Sequence, residues 1–299
     1  MIALVLIIIA VGGAAWWIVF RNLPDKLIRP RRTTREYWEA KGGYLTPSDM
    51  EMRYDDMVIH TKDGLKLVGW FVPGAGVNAK KTIVLMHGIG GSRINMIPTA
   101  KIFNEAGYNI FLFDSRAAGE SEGEFCTHGY YEKYDLQAVI DALCEREEVD
   151  SAHIGLLGIS MGGSIALQTA PIEPRIRCII AESVYTSLNE VTGDYLKHFI
   201  GFNSKILHDT AIQVAEKEAH FQIEDIAPIE ALKHINIPVL FIHGSNDELV
   251  KAKYSELLCG AYNGTRELYI VKGAGHNDLR KVGGDEYNRR RLDFFERYL

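Results

Sequence analysis

Six short, nearly uninterrupted apolar runs, most of them separated by helix-length segments, constrain the fold of this chain more than any other feature. They lie at residues 82–86, 109–113, 153–157, 177–181, 238–242 and 267–271. A strand covered on both faces shows no polar alternation, so such runs read as strands of a buried parallel sheet. Separators such as 95–106 and 131–146 have helical length. This alternation predicts an α/β fold: a mostly parallel central sheet covered by helices on both faces, with reactive groups gathered at the carboxyl ends of the strands. Ahead of it, residues 55–73 read as a hairpin, with 57–60 and 67–71 flanking the turn Lys62-Asp63-Gly64. The segment 184–233 interrupts the alternation with two or three helical patterns, 212–221 among them, and reads as an inserted helical cap over the active edge.

At the end of the third of these apolar runs stands Gly158-Ile159-Ser160-Met161-Gly162, followed by the small-residue helix start Gly163-Ser164-Ile165-Ala166. The spacing fits G-x-S-x-G, in which a serine sits on a sharp strand-to-helix turn. That turn closes only when the residues two places away on either side carry almost no side chain. Ser160 is therefore the candidate nucleophile.

A serine hydroxyl needs a base to take its proton and a third group to orient that base. Among ten histidines, His276 is best placed, because Gly273-Ala274-Gly275-His276-Asn277 follows the last predicted strand. Asp247, after the strand at 238–242, supplies the carboxylate and completes the chain order Ser, Asp, His. Glu182 is the competing carboxylate, and the neighbouring Glu248 is expected to be solvated. For the developing oxyanion, backbone N–H groups are expected from Met161, just past the elbow, and from Ile89 in His87-Gly88-Ile89-Gly90-Gly91. His87, at a strand end before glycine, is expected to be structural.

The residues at 1–20 call for a different explanation. Residues 2–20 are uncharged and mostly aliphatic, and as a helix would extend about 28 Å, close to the roughly 30 Å of bilayer hydrocarbon. Trp16 and Trp17 suit an interface, and Arg21, Lys26, Arg29, Arg31, Arg32 and Arg35 follow. The expectation is a transmembrane anchor at 1–20, a basic linker at 21–50 and an α/β domain at 51–299 that carries the cap, held in the cytoplasm by the positive flank as a single-pass membrane protein. The alternative is a secretory signal cleaved near Gly13-Ala14-Ala15. Cys126, Cys144, Cys178 and Cys259 are scattered, which favours four free thiols.

Composition removes several function classes. A net charge of -6 and a pI near 5.9 argue against nucleic acid as a partner. No H-E-x-x-H or comparable cluster suggests a metal, and Gly88-Ile89-Gly90-Gly91 lacks both dinucleotide-binding spacing and a P-loop lysine, so no cofactor is implied.

Taken with Phe113-Asp114-Ser115-Arg116-Ala117-Ala118-Gly119-Glu120-Ser121, these motifs make the chain resemble the α/β-hydrolase superfamily from about residue 55 to 299. The resemblance is to the serine-hydrolase branch that includes membrane-anchored α/β-hydrolase-domain proteins and small bacterial esterases. It implies ester, thioester or amide hydrolysis, with a carboxylic ester first, a thioester or short peptide as alternatives, and a non-catalytic binding protein as a remote one. It also implies that 114–121 supports the site, with Asp114 and Arg116 expected to pair. The substrate is expected to be a small acyl compound, and lipid-derived if the anchor holds. Tyr185, Tyr195, Phe199 and Phe202 are expected to pack the cap against the sheet, with a pocket-lining role as the alternative.

Overall fold

A computed structural model describes residues 21–201 and 204–299 of the chain. The expected membrane span at 1–20 lies outside the described residues, as do Phe202 and the Phe199 side chain. Among the described residues no helix is long and apolar enough to cross a membrane.

Two short helices, α1 (Leu23–Ile28) and α2 (Arg35–Ala40), precede the hairpin of β1 (Asp55–His60) and β2 (Lys66–Val72). The alternating part follows: β3 (Thr82–Met86), α3 (Arg93–Glu105), β4 (Asn109–Phe113), α4 (Glu132–Cys144), β5 (Ile154–Ile159), α5 (Met161–Thr169) and β6 (Ile176–Glu182). The cap contributes α6 (Leu188–Ile200), α7 (Lys205–Ala219) and the single turn α8 (Pro228–Ala231). The chain ends with β7 (Val239–Gly244), α9 (Lys253–Ala261), β8 (Arg266–Val271) and α10 (Leu279–Tyr298).

The eight strands form one sheet in the order β1-β2-β4-β3-β5-β6-β7-β8. Pairing is antiparallel for β1 with β2 and β2 with β4, and parallel from β4 to β8. Every residue of β3 and β4 is buried, as their unbroken apolar runs require. On one face Leu136, Val139, Ile140 and Leu143 of α4 and Ile165 to Leu167 of α5 pack on the strands. On the other, Met96, Ile97, Ala100 and Phe103 of α3 meet Phe294 and Phe295 of α10.

A third cluster lies outside the sheet. Tyr185, Leu188, Val191, Ile212, Ala215 and Phe221 of the cap region pack around Ile28 of α1, which is fully buried. Residues 21–29 thus form part of the cap's core. The link is polar as well: the Ile28 carbonyl accepts the Cys126 N–H at 2.8 Å, and Arg29 pairs with Asp25, Glu124 and Glu218 at 2.6 to 2.9 Å.

Asp114 and Arg116 do not pair. They leave the end of β4 toward different helices. Asp114 accepts the Arg93 backbone N–H at 2.6 Å and the Glu120 N–H at 2.9 Å, and its other partner is the Arg93 guanidinium. Arg116 makes a two-bond pair with Asp135 of α4 at 2.6 Å each and reaches Asp63 in the hairpin turn. Both ion pairs are buried, so each carboxylate is matched by a guanidinium on the element it faces. The stretch 114–121 thereby fixes α3 and α4 to the sheet. All four cysteines are free.

Candidate active site

Ser160 sits between β5 and α5 at φ 53° and ψ -113°, a conformation that side-chain-bearing residues rarely adopt. The backbone around it leaves no alternative to glycine. A Cβ on Gly158 would fall on the backbone of Gly162 and Gly163, and one on Gly162 would fall on the carbonyls of Met86 and His87. The turn is held from the side by the Ser160 N–H, which donates to the Glu182 carbonyl at 2.7 Å.

His276 and Asp247 come together as the sequence predicts. His276 Nδ1 lies 2.6 Å from Asp247 Oδ2, and the Asp247 side chain is fully buried. The other carboxylate oxygen accepts the N–H groups of Leu249 and Val250 at 3.0 and 2.8 Å. A second imidazole, His243, fully buried at the end of β7, reaches Asp247 Oδ2 at 3.2 Å. Burial opposes ionisation of Asp247, yet the hydrogen bonds from His243 and His276 and from the backbone hold its carboxyl well below the usual carboxylate range.

Ser160 and His276 line one cavity of about 520 Å³, together with Gly88 to Gly91. No direct hydrogen bond joins the two side chains. On α6, burial and the nearby Asp247 charge push the Tyr195 phenol pKa up. Nucleophile and base contacts often tighten only when substrate is bound.

Residues 88–91 form a tight turn, closed by a 3.0 Å bond from the Gly91 N–H to the Gly88 carbonyl, with Gly90 at φ 69° as the turn requires. Neither the Ile89 N–H in this turn nor the Met161 N–H at the start of α5 donates to a backbone carbonyl. His87 is buried, and its Nε2 accepts the Ser115 N–H at 3.1 Å while Nδ1 lies 2.8 Å from the Gly88 carbonyl. Those partners assign the neutral tautomer with the proton on Nδ1. Burial also pushes its pKa down, so His87 supports the turn as a neutral ring.

Glu182 does not approach His276 as an orienting group. Its carboxylate accepts from the Tyr287 hydroxyl at 2.7 Å and faces Arg291 at 3.4 Å, both on α10. Burial pushes its pKa up, against the attraction of Arg291. Glu248 is exposed, as expected.

Tyr185 and Tyr195 pack in the cap cluster, as expected, and Tyr195 also lines a cavity beside the site. Two features of the site were not legible in the sequence. Next to the catalytic cavity lies a smaller apolar one of about 90 Å³, lined by Leu23, Leu27, Ile89, Tyr195, Leu196 and Ile212 among others. Ile89 borders both cavities. Finally, Thr33, Tyr37 and Trp38, in the segment read as a linker, form part of the wall of the catalytic cavity. Among the described residues no cluster of histidine, cysteine or carboxylate side chains is arranged to hold a metal ion.

Comparison with known proteins agrees with this architecture. The family described as serine aminopeptidase, S33, matches residues 77–234. The chain is 27% identical over 269 residues to the α/β-hydrolase domain-containing protein WAV2 of Arabidopsis thaliana, covering 87% of this chain and 84% of that protein. It is 26% identical to YqkD of Bacillus subtilis over 92% and 88% of the two chains. The structure of the Pyrococcus furiosus esterase Pf2001 superposes with a TM-score of 0.72 at 26% identity, covering 91% of this chain and 98% of that one.

Proposed function

The chain belongs to the serine aminopeptidase S33 family of α/β-hydrolases, and on that premise we propose that this hydrolase cleaves carboxylic esters through an acyl-Ser160 intermediate. The observation that carries this reading is the 2.6 Å His276 to Asp247 contact on the wall of the cavity that also contains Ser160. Asp247 orients the His276 ring and offsets the positive charge it acquires. His276 takes the Ser160 proton as the hydroxyl attacks the acyl carbon, then passes it to the departing alcohol. Water completes the cycle: its hydroxyl joins the acyl carbon, and its remaining proton returns through His276 to Ser160. The N–H groups of Ile89 and Met161 receive the oxyanion, each worth about 10²- to 10³-fold in turnover.

Ester cleavage is favoured over aminopeptidase action by the carboxylates of the cavity. A free amino terminus needs an unpaired carboxylate to receive it. Among the described residues lining the cavity Glu182 is the one that is acidic, and Tyr287 and Arg291 already occupy it. The acyl group fits the small apolar cavity beside Ile89. A cavity of about 150 Å³ accommodates benzene, so about 90 Å³ suits an acyl chain of about four carbons.

The test is hydrolysis of p-nitrophenyl esters from acetate to decanoate. The expected result is a maximum near butyrate and a loss of at least about 10⁴-fold in Ser160→Ala. Full activity in a folded Ser160→Ala protein would exclude the mechanism.

The apolar run at 2–20 supports a second proposal, that the chain is anchored in a membrane with its catalytic domain on the side of the basic flank. Retention of the full chain in the membrane pellet after alkaline carbonate extraction is expected. Release into the supernatant would overturn it.

A further inference from the structure

Asp247 is met by a second imidazole that the proposed reaction leaves without a task. His243 stands near the end of β7, and neither its side chain nor that of its neighbour Ser255 on α9 is exposed. Its Nε2 lies 2.7 Å from the Val250 carbonyl, which can only accept, so that nitrogen carries the proton. Its Nδ1 lies 2.7 Å from the Ser255 hydroxyl, which is free to donate to it. The tautomer is therefore fixed from both sides. The protonated Nε2 is also 3.2 Å from Asp247 Oδ2, the oxygen that His276 Nδ1 approaches at 2.6 Å. One carboxylate oxygen thus faces two imidazole N–H groups, one from the end of β7 and one from the loop after β8.

Two donors near one oxygen do not act independently. The N–H dipole of His243 offsets part of the charge that Oδ2 presents to His276, in an interior where such dipoles are weakly screened. The imidazolium form of His276 is then stabilised less than it would be by a carboxylate with no second imidazole. His276 must release its proton to the departing alcohol in each turnover, and a carboxylate that held the proton more strongly would slow that release. We infer that His243 is a positioning residue that sets how strongly Asp247 holds the proton of His276, and with it the pH at which Ser160 becomes reactive. The inference rests on the Ser160, His276 and Asp247 reading above and adds a fourth member that acts through Asp247. The Val250 backbone braces the link: its carbonyl accepts from His243, and its N–H donates to Asp247 Oδ1 at 2.8 Å. Charged and titratable groups on other elements also face the pair. Tyr195 of α6 lies near Asp247, Asp278 accepts the Gly275 N–H at 2.6 Å beside His276, and Glu182 and Arg280 share the cavity wall with His276. A substitution at 243 leaves all of them in place, so a difference from wild type reports His243 alone.

The experiment follows the rate of fluorophosphonate labelling of the full-length chain against pH, a reaction of Ser160 that needs no particular ester. His243→Gln puts an amide N–H where the Nε2–H stood. His243→Asn, whose shorter amide reaches only the place of Nδ1, leaves Oδ2 without that donor. The midpoint of the acid limb is expected to move up by about half a pH unit or more in His243→Asn, and to stay within about 0.2 unit of wild type in His243→Gln. Histidine 15N NMR of the wild-type protein, which needs no variant to fold, is expected to show His243 protonated on Nε2 and not on Nδ1 at neutral pH. A midpoint that stays fixed or moves down in His243→Asn, or that moves equally in His243→Gln, overturns the inference, and so does a proton on Nδ1. Labelling of Ser160 in any of those cases leaves the hydrolase reading standing. No labelling of the wild-type protein at any pH overturns both.

Discussion

Asp247 shows at the scale of one residue how much of the site is electrostatic. Its carboxylate is removed from water, and four groups face it: two imidazoles and two backbone N–H groups. The hydrogen bonds hold its folded-state pKa below the roughly 3.9 of an unfolded chain. A carboxylate of this kind contributes stability that is complete above the unfolded value and is lost as pH falls through the folded one. Denaturant titrations of wild type and Asp247→Asn should therefore differ by a constant amount near neutrality and converge as pH falls below about 4. A difference that stays constant through the acid range would mean that Asp247 is not held in this way. Ser160, Asp247 and His276 could be proposed from sequence because each follows an apolar strand and two lie in glycine-marked turns. The contribution of His243 could not, because a histidine at a buried strand end gives no sign of which carboxylate it will meet.

The cap is the element where sequence and structure diverge most. Its position between β6 and β7 follows from a break in the alternation, and its helices from their apolar spacing. Which side chains of α6 line the smaller cavity depends on how that helix lies across the sheet edge, and the pattern of residues leaves this open. Helix α1 and residues 33–38 are a stronger case. Six-residue helices carry too little periodicity to be seen, so 21–50 read as a basic linker, although Ile28 is fully buried in the cap and Thr33, Tyr37 and Trp38 wall the cavity.

Over the whole molecule, the α/β architecture and the order of its strands and helices were the most legible part. Near-continuous apolar runs have few ways to be buried other than a sheet covered on both faces, and the eight-stranded sheet with α3 and α10 on one face and α4 and α5 on the other is that solution. The expected pairing of Asp114 with Arg116 failed because two residues close in sequence were assumed to face each other, whereas the chain leaving β4 turns one toward α3 and the other toward α4. The substrate was not legible, because the walls of the two cavities draw on α1, residues 33–38, the cap and α10 together. The central claim is that this assembly delivers a reactive Ser160. It is tested most directly by reacting the full-length protein with a fluorophosphonate and locating the adduct by peptide mass spectrometry. The account predicts a single adduct on the peptide that contains Ser160, absent in His276→Ala. An adduct on another residue, or none while ester hydrolysis persists in Ser160→Ala, would contradict it.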